Sequence, residues 1–423
     1  MAPSSFYVHL RVTLLLGGLL FNGASWAQDT GLPGHTVTLG VAVSRAQAMA
    51  PGVRGAEASA SAADSAVRAA GLLPNPTVSV EVDNFGGTGP YSRFRGAETT
   101  YSVSVPLELG GKRAARVRVS NAELAQALTG VNAARSDLTL RVTRAFIAVA
   151  ASERRLQSAV GRRQLAEQAE AAARLRTRAG KVSPIDEQRA MVQRVTAVVE
   201  AERAERAAKL AAANLARLIG ADHSMRVQAA WFDDPTLEIA SEGGGVGWTL
   251  ASADAQVAAA TAKVDAARRA RMPDLTLTAG TRRFKETGDS AAIFALSMPL
   301  PLFNRGDAEI ARARAELDKA QAERSEIVLA LAEAQAAARA EVLDAQARAI
   351  SATGPELAAA REAARIARLG YAEGKFSQLD LIEAERSLAQ TQETAIDALA
   401  NFHEARARLA NLFGRIDPIN KDN

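Results

Sequence analysis

Apolar residues recur along this chain with two different periods. From Thr77 to Asp83, Val78, Val80 and Val82 alternate with Thr77, Ser79, Glu81 and Asp83, and further on Tyr101, Val103, Val105 and Leu107 alternate with Ser102 and Ser104. The pattern returns where Leu275, Leu277 and Ala279 alternate with Thr276 and Thr278, and where Phe294, Leu296 and Met298 alternate with Ala295 and Ser297. A period of two predicts four strands, each with one apolar and one polar face. After Gly110-Gly111 the period lengthens, and large apolar residues fall at Val117, Leu124, Leu128, Val131, Leu138, Val142, Phe146, Val149, Leu156 and Val160. Steps of three, four and seven residues form the seam of a helix that packs in coiled-coil fashion. No proline interrupts the chain from there to about Ala179. About 67 residues at 1.5 Å each make a rod of roughly 100 Å, long enough to cross a periplasm.

These elements occur twice. Arg174-Leu175 and then Gly180-Lys181-Val182-Ser183-Pro184-Ile185-Asp186 recur as Arg368-Leu369 and then Gly374-Lys375-Phe376-Ser377-Gln378-Leu379-Asp380, an offset of 194 residues. Leu215-Ala216-Arg217-Leu218-Ile219-Gly220 recurs at the same offset as Leu409-Ala410-Asn411-Leu412-Phe413-Gly414. Pro76 and Pro106 bracket the first strand pair as Pro273 and Pro299 bracket the second. Each half reads as helix, two strands, long helix, tight turn, helix. The first repeat covers 28–220, with strands at about 76–107 and a helical hairpin at about 113–219. The second covers 248–414, with strands at about 273–300 and a hairpin at about 306–413 that Gly354-Pro355 should break or kink. Residues 221–247 read as a connector and 415–423 as a tail.

The first 27 residues read as a cleavable signal peptide. His9 and Arg11 precede an apolar run from Val12 to Phe21, and Ser25-Trp26-Ala27 supplies the small residues of a cleavage site before Gln28. No later window reaches 18 consecutive apolar residues, so any membrane span must be built from strands. The chain has no cysteine, so disulfides, thiolate chemistry and N-terminal lipid attachment through Cys are excluded. Its four scattered histidines form no metal motif, no catalytic constellation is present, and no cofactor is implied. Basic and acidic residues, 51 against 47, are interspersed, which argues against a nucleic-acid partner.

Hydrophobic residues make up 48% of the chain but aromatics only 4%, because alanine dominates, as in Ala330 to Ala340. Alanine favours helices packed closely through small side chains. The few aromatics gather at the strands: Phe85, Tyr91, Phe94, Tyr101, Phe284, Phe294 and Phe303 all lie in the two hairpin segments, where they suit the interfacial girdles of an outer-membrane barrel in contact with lipid. A soluble hairpin resting on a helix would show the same alternation. Four strands cannot close alone, so a spanning chain must oligomerise; two copies give eight strands and three give twelve.

Ala70-Gly71-Leu72-Leu73-Pro74-Asn75-Pro76, a hairpin, Pro106-Leu107-Glu108-Leu109-Gly110-Gly111-Lys112-Arg113, a long helix and a Gly-x-x-Ser-x-x-Asp turn, all repeated, resemble the TolC family of outer-membrane efflux factors. The Leu-Glu-Leu-Gly-Gly-Lys-Arg form is most similar to its heavy-metal, cobalt-zinc-cadmium resistance (CzcC-like) branch. The resemblance implies a mainly α fold with a small β part: a homotrimer whose twelve strands form one β-barrel, continued by an α-helical tunnel. It also implies a periplasmic adaptor, an inner-membrane resistance-nodulation-division (RND) pump, and a passive duct for divalent metal cations. Drug efflux or type I secretion through the same fold, and a periplasmic structural coiled coil, are the alternatives. Two departures stand out: Pro299-Leu300-Pro301-Leu302-Phe303-Asn304-Arg305-Gly306 lacks the Glu-Leu-Gly-Gly pattern, and the lipid-bearing cysteine of lipidated members is absent.

Three groups of candidate site residues follow. Gly180, Lys181, Ser183 and Asp186, with Gly374, Lys375 and Ser377, form the two helical turns. Ser183 and Ser377 can cap the returning helices with Asp186 and Asp380 as reciprocal partners, and by resemblance the turns form the adaptor-docking tip. Asp380 and Glu383 stand at i and i+3. By resemblance they line the tunnel mouth, where three copies would make a ring of six carboxylates that attracts cations; the plainer alternative is a solvated helix face. Asp186 and Arg189 are the first-half equivalents, so only the second repeat would be acidic there. Gly110, Gly111, Lys112 and Arg113 are by resemblance the junction of barrel and helix, near the inner headgroups, or else a basic helix start.

Overall fold

The structure is a computed structural model that describes residues 36–221, 226–236 and 247–414. The expected signal peptide and C-terminal tail lie outside the described residues, as does much of the connector.

The chain begins with a two-residue strand β1 (Thr36–Val37) and helices α1 (Leu39–Met49) and α2 (Pro51–Ala70), followed by strands β2 (Thr77–Asp83) and β3 (Glu98–Leu107). The long helix α3 (Lys112–Arg178) and its return α4 (Pro184–Ile219) complete the first half. A short strand β4 (Arg226–Val227) leads to the second half: α5 (Trp248–Ala270), β5 (Leu275–Phe284), β6 (Ser290–Ser297), α6 (Asp307–Ser351), α7 (Leu357–Ala372) and α8 (Gln378–Leu412). Helix α3 has the 67 residues that its seam predicts.

The four strands form one antiparallel sheet in the order β2-β3-β5-β6, so the β3–β5 pair joins the two halves. The register, which runs Val80, Tyr101, Thr281, Ala292 across the sheet, sorts the faces. On one face stand Val78, Val80, Val82, Tyr101, Val103, Val105, Leu107, Leu275, Leu277, Phe294 and Leu296; on the other are Ser79, Glu81, Asp83, Glu98, Thr100, Ser102, Ser104, Thr276, Thr278 and Arg282. Among the described residues nothing covers the apolar face: Val78 is 74% exposed and Phe294 75%. β3 starts at Glu98 and β5 continues to Phe284, beyond the alternating stretches, because the ends of these strands carry no alternating signal and are held by pairing with each other and by Arg282, which bonds Thr100 and Glu98. Phe284 stands opposite Glu98, on the polar face, apart from the aromatic residues of the apolar face.

All four strands meet helices at one end of the sheet, while loops 84–97 and 285–289 close the other. Helix α6 does not run unbroken. Ala352–Glu356 forms a π turn around Gly354-Pro355, as the break predicted there requires: Pro355 lacks an N–H, and the wider turn makes room for its ring.

The core sits midway along the helices. Leu138, Val142, Phe146 and Val149 of α3 are buried with Leu39 and Ala42 of α1 and Leu215 and Ile219 of α4. Ile147, Val342, Phe402 and Leu409 form a second cluster with Phe232 at its centre. The seam of α3 is buried from Val131 to Val149; Leu128 is 51% exposed, because towards the sheet the helices form a thinner wall. Elsewhere alanine fills the contacts, as at Ala115, Ala159, Ala173 and Ala190.

The described part of the connector does more than connect. Arg226–Val227 pairs in parallel with Thr36–Val37, Phe232 is fully buried, and the ring Nε2 of His403 lies 2.9 Å from the Phe232 carbonyl oxygen. Each half therefore starts beside its own end: β1 lies on β4, and Gly247 abuts the end of α8, where a Cβ would stand 2.5 Å from the Leu412 carbonyl oxygen.

Candidate functional site

The two helical turns lie together at the end of the molecule away from the sheet. Gly180 (φ 68°) and Gly374 (φ 75°) adopt the left-handed conformation that lets each long helix close. The amides of Lys181 and Lys375 bond back to the carbonyls of Arg176 and Gly370, at 2.9 and 2.8 Å. Gln378 Nε2 donates to the Asp186 carbonyl at 2.9 Å, and the Arg176 guanidinium lies 4.9 Å from the centre of the Tyr371 ring, so the turns of the two halves touch.

The returning helices are capped differently. Asp380 Oδ2 accepts from the Ser377 amide at 2.8 Å and its hydroxyl at 2.7 Å, while the Asp380 amide donates to Ser377 Oγ at 3.2 Å, a complete capping box. In the first half Ser183 Oγ accepts from the Ile185 amide at 3.3 Å, but Asp186 does not reciprocate; its carboxylate faces Arg189 at 3.6 Å. Arg189 is the difference, since Glu383 holds the equivalent place in the second half and cannot draw Asp380 away. The hydrogen bonds from Ser377 hold the Asp380 carboxyl below the ordinary aspartate range. Both acidic residues are exposed, and Glu383 has no ion-pair partner among the described residues. Lys181 is exposed, and Lys375 pairs with its neighbour Glu373 at 2.6 Å.

At the opposite end Phe85 and Phe94 meet in loop 84–97 with ring centres 6.0 Å apart, and Lys285 lies 5.7 Å from the centre of the Phe94 ring. Tyr91 is exposed in the same loop, Tyr101 and Phe294 stand on the apolar face, and Phe303 is wholly exposed beyond β6, at the helix end of the sheet. The polar face carries its own network. Ser104 Oγ and Thr278 Oγ1 are 2.8 Å apart, and Arg282 donates to Thr100 Oγ1 at 3.0 Å and to Glu98 at 3.1 Å.

Where β3 becomes α3, Gly110 and Gly111 have φ of 71° and 72°. A Cβ on Gly110 would stand 2.9 Å from that of Met272. Lys112 pairs with Asp274 at 2.9 Å, Asp274 also accepts the Leu109 amide at 3.2 Å, and Arg269 donates to the Gly110 carbonyl at 3.2 Å. Arg113 is exposed. Asp274, the clamp of this junction, was not anticipated from the sequence; its one signal is its place between Pro273 and β5. His403 was also passed over, because a lone histidine in an alanine-rich helix carries no pattern.

Among the described residues no cluster of His, Cys, Asp and Glu could hold a metal, and no helix is long and apolar enough to cross a membrane.

The model of the family described as outer membrane efflux protein matches the chain twice, at residues 42–221 and 248–415. The cobalt-zinc-cadmium resistance protein CzcC of Cupriavidus metallidurans is 29% identical over 354 residues, 81% of this chain and 82% of that protein. The nickel-cobalt-cadmium resistance protein NccC of Alcaligenes xylosoxydans xylosoxydans is 29% identical over 336 residues, 72% of this chain and 71% of its own. Among solved structures, the outer membrane protein VceC of Vibrio cholerae superposes with a TM-score of 0.73 at 20% identity, covering 89% of this chain and 96% of VceC.

Proposed function

The chain belongs to the outer membrane efflux protein family, and from that premise we propose that it is the outer-membrane duct of a tripartite pump that exports divalent metal cations. Three copies close a twelve-stranded barrel, and their helical hairpins continue it as a periplasmic tunnel. One observation carries this reading: among the described residues, a four-stranded sheet with an uncovered apolar face and two unpaired edges, β2 and β6, at the end of long helices, of which α3 has 67 residues. An unpaired edge in lipid costs several kcal/mol per backbone group, so pairing β2 of one copy with β6 of the next removes the penalty.

The turns of the two halves dock a periplasmic adaptor, which links the duct to an inner-membrane RND pump. That pump supplies the energy, and the duct conducts passively. Asp380 and Glu383 stand beside the turns, and in a trimer they form a ring of six carboxylates that concentrates cations at the tunnel mouth. The metal reading is supported by relatives named for cobalt, zinc, cadmium and nickel resistance. The protein is exported by its signal peptide and resides in the outer membrane.

Fractionation with planar-bilayer recording tests the duct: a stable cation-selective conductance from a membrane-embedded trimer is expected, and a soluble monomer without conductance rejects it. Metal sensitivity of a deletion strain tests the substrate. Unchanged tolerance to cobalt, zinc, cadmium and nickel rejects metal export while leaving the duct standing.

A further inference from the structure

At the loop end of the sheet the two strand faces differ in charge, and the loops beyond them add cations. The apolar column of β5 reads Leu275, Leu277, Ala279, Thr281, Arg283, with Arg283 opposite Thr99 and Ser290. Lys285 follows at once; its amide donates to the Ala97 carbonyl at 2.9 Å and its ammonium rests by Phe94, which fixes the turn against loop 84–97. That loop adds Arg93 and Arg95, both exposed. Neither Arg93 nor Arg283 has an ion-pair partner among the described residues. Glu286 and Asp289 are the acidic residues of the turn, so four cations face two anions at this rim. The polar face has the opposite sign: Glu81, Asp83 and Glu98 surround Arg282 alone.

Position along the strand says what this rim meets. From Leu275 to Arg283 the strand rises about 27 Å, which at the tilt usual for membrane barrels is a height of roughly 20 Å, close to the 25 Å or so of their apolar band. Arg283 therefore ends the band at headgroup level. The helices leave the sheet at the other end, so on the duct reading, on which this inference rests, the rim lies in the outer leaflet.

We propose that Arg93, Arg95, Arg283 and Lys285 form a cationic collar that binds the phosphates of a multiply phosphorylated glycolipid of the outer leaflet. Several cations from two adjoining loops suit a headgroup with more than one phosphate. The aromatic rings of Phe85, Phe94 and Tyr101 flank the collar at the level where sugar gives way to acyl chain.

The test uses the full-length assembled protein, titrated with bis-phosphorylated lipid A, with the same lipid after enzymatic dephosphorylation, and with phosphatidylglycerol, read by native mass spectrometry. The bis-phosphorylated lipid should bind at least about tenfold more tightly than the dephosphorylated one. The combined variant Arg93→Gln, Arg95→Gln, Arg283→Gln, Lys285→Gln should lose that preference, and Arg282→Gln, on the same strand but the opposite face, should keep it. Replacing the three arginines by lysine should retain it. The milder pair Arg283→Gln, Lys285→Gln should weaken it several-fold and serves if the fourfold variant does not assemble. Retained preference in the neutralised variants, equal loss in Arg282→Gln, or equal binding of phosphatidylglycerol overturns the collar. Conductance in vesicles is scored separately: a chain that never inserts defeats duct and collar together, whereas an inserted channel indifferent to lipid phosphate defeats the collar alone.

Discussion

At the scale of single residues, two titratable groups have environments that dictate their behaviour. Asp380 is a carboxyl whose ionised form is stabilised by Ser377, so its pKa is depressed. The associated stability is present above the unfolded value and is lost as pH falls through the folded one. On the duct reading, the share of cation selectivity that Asp380 supplies, read from reversal potentials, should persist to lower pH than it does in Ser377→Ala, and Asp380→Asn should lose that share at every pH. His403 is the contrary case: buried beside Phe232, Phe402 and Trp231, its imidazole is pushed down to about 4, mainly by desolvation. Its Nδ1 has no hydrogen-bond partner, which the neutral ring tolerates and a charged ring does not. The unfolded chain takes up this proton first, so stability should fall as pH drops from about 6.5 towards 4, by up to about 3 kcal/mol. His403→Gln, which keeps a donor for the Phe232 carbonyl and cannot titrate, should flatten thermal melting temperature against pH across that window.

At the scale of elements, the sequence was most legible where a period persists. The length of α3, the turns at Gly180 and Gly374, the break at Gly354-Pro355 and the alternating strands were all readable, because a long amphipathic pattern constrains the backbone without help from tertiary contacts. Strand ends were not, since Glu98, Thr99, Arg282 and Arg283 are held by a partner strand about 180 residues away. Nor was the asymmetry of the two caps: Asp186 and Asp380 look equivalent until Arg189 claims one of them. Phe284 shows the same limit, because a count of aromatics does not reveal which face the register assigns to each. The junction yields a prediction at this scale. Gly110→Ala meets both a positive φ and the Met272 side chain, so it should cost about 1–3 kcal/mol and lower the yield of heat-resistant trimer on gels, whereas Arg113→Ala, exposed beside it, should not.

At the scale of the whole molecule, the uncovered sheet is the feature that separates a duct from a periplasmic coiled coil. Val78, in register with Val103 and Ala279 midway along the apolar column, is 74% exposed. In a soluble hairpin Val78→Arg would be nearly neutral, but in a barrel wall a mid-bilayer arginine costs about 2–4 kcal/mol. The variant should therefore accumulate outside the membrane fraction, as judged by flotation of labelled protein, while Ser79→Arg on the polar face should still insert. The scheme in which β1 lies on β4 and Gly247 abuts Leu412 reaches further. A half that comes back to its own starting point leaves its two ends close together, so a short covalent tie is enough to join halves that already meet through β3 on β5 and the core around Phe232. On the duct reading, six half-length chains would enclose the same pore as three full ones. The fusion frees the halves to diverge, so that one turn keeps Arg189 beside Asp186 while the other has Glu383 in the equivalent place.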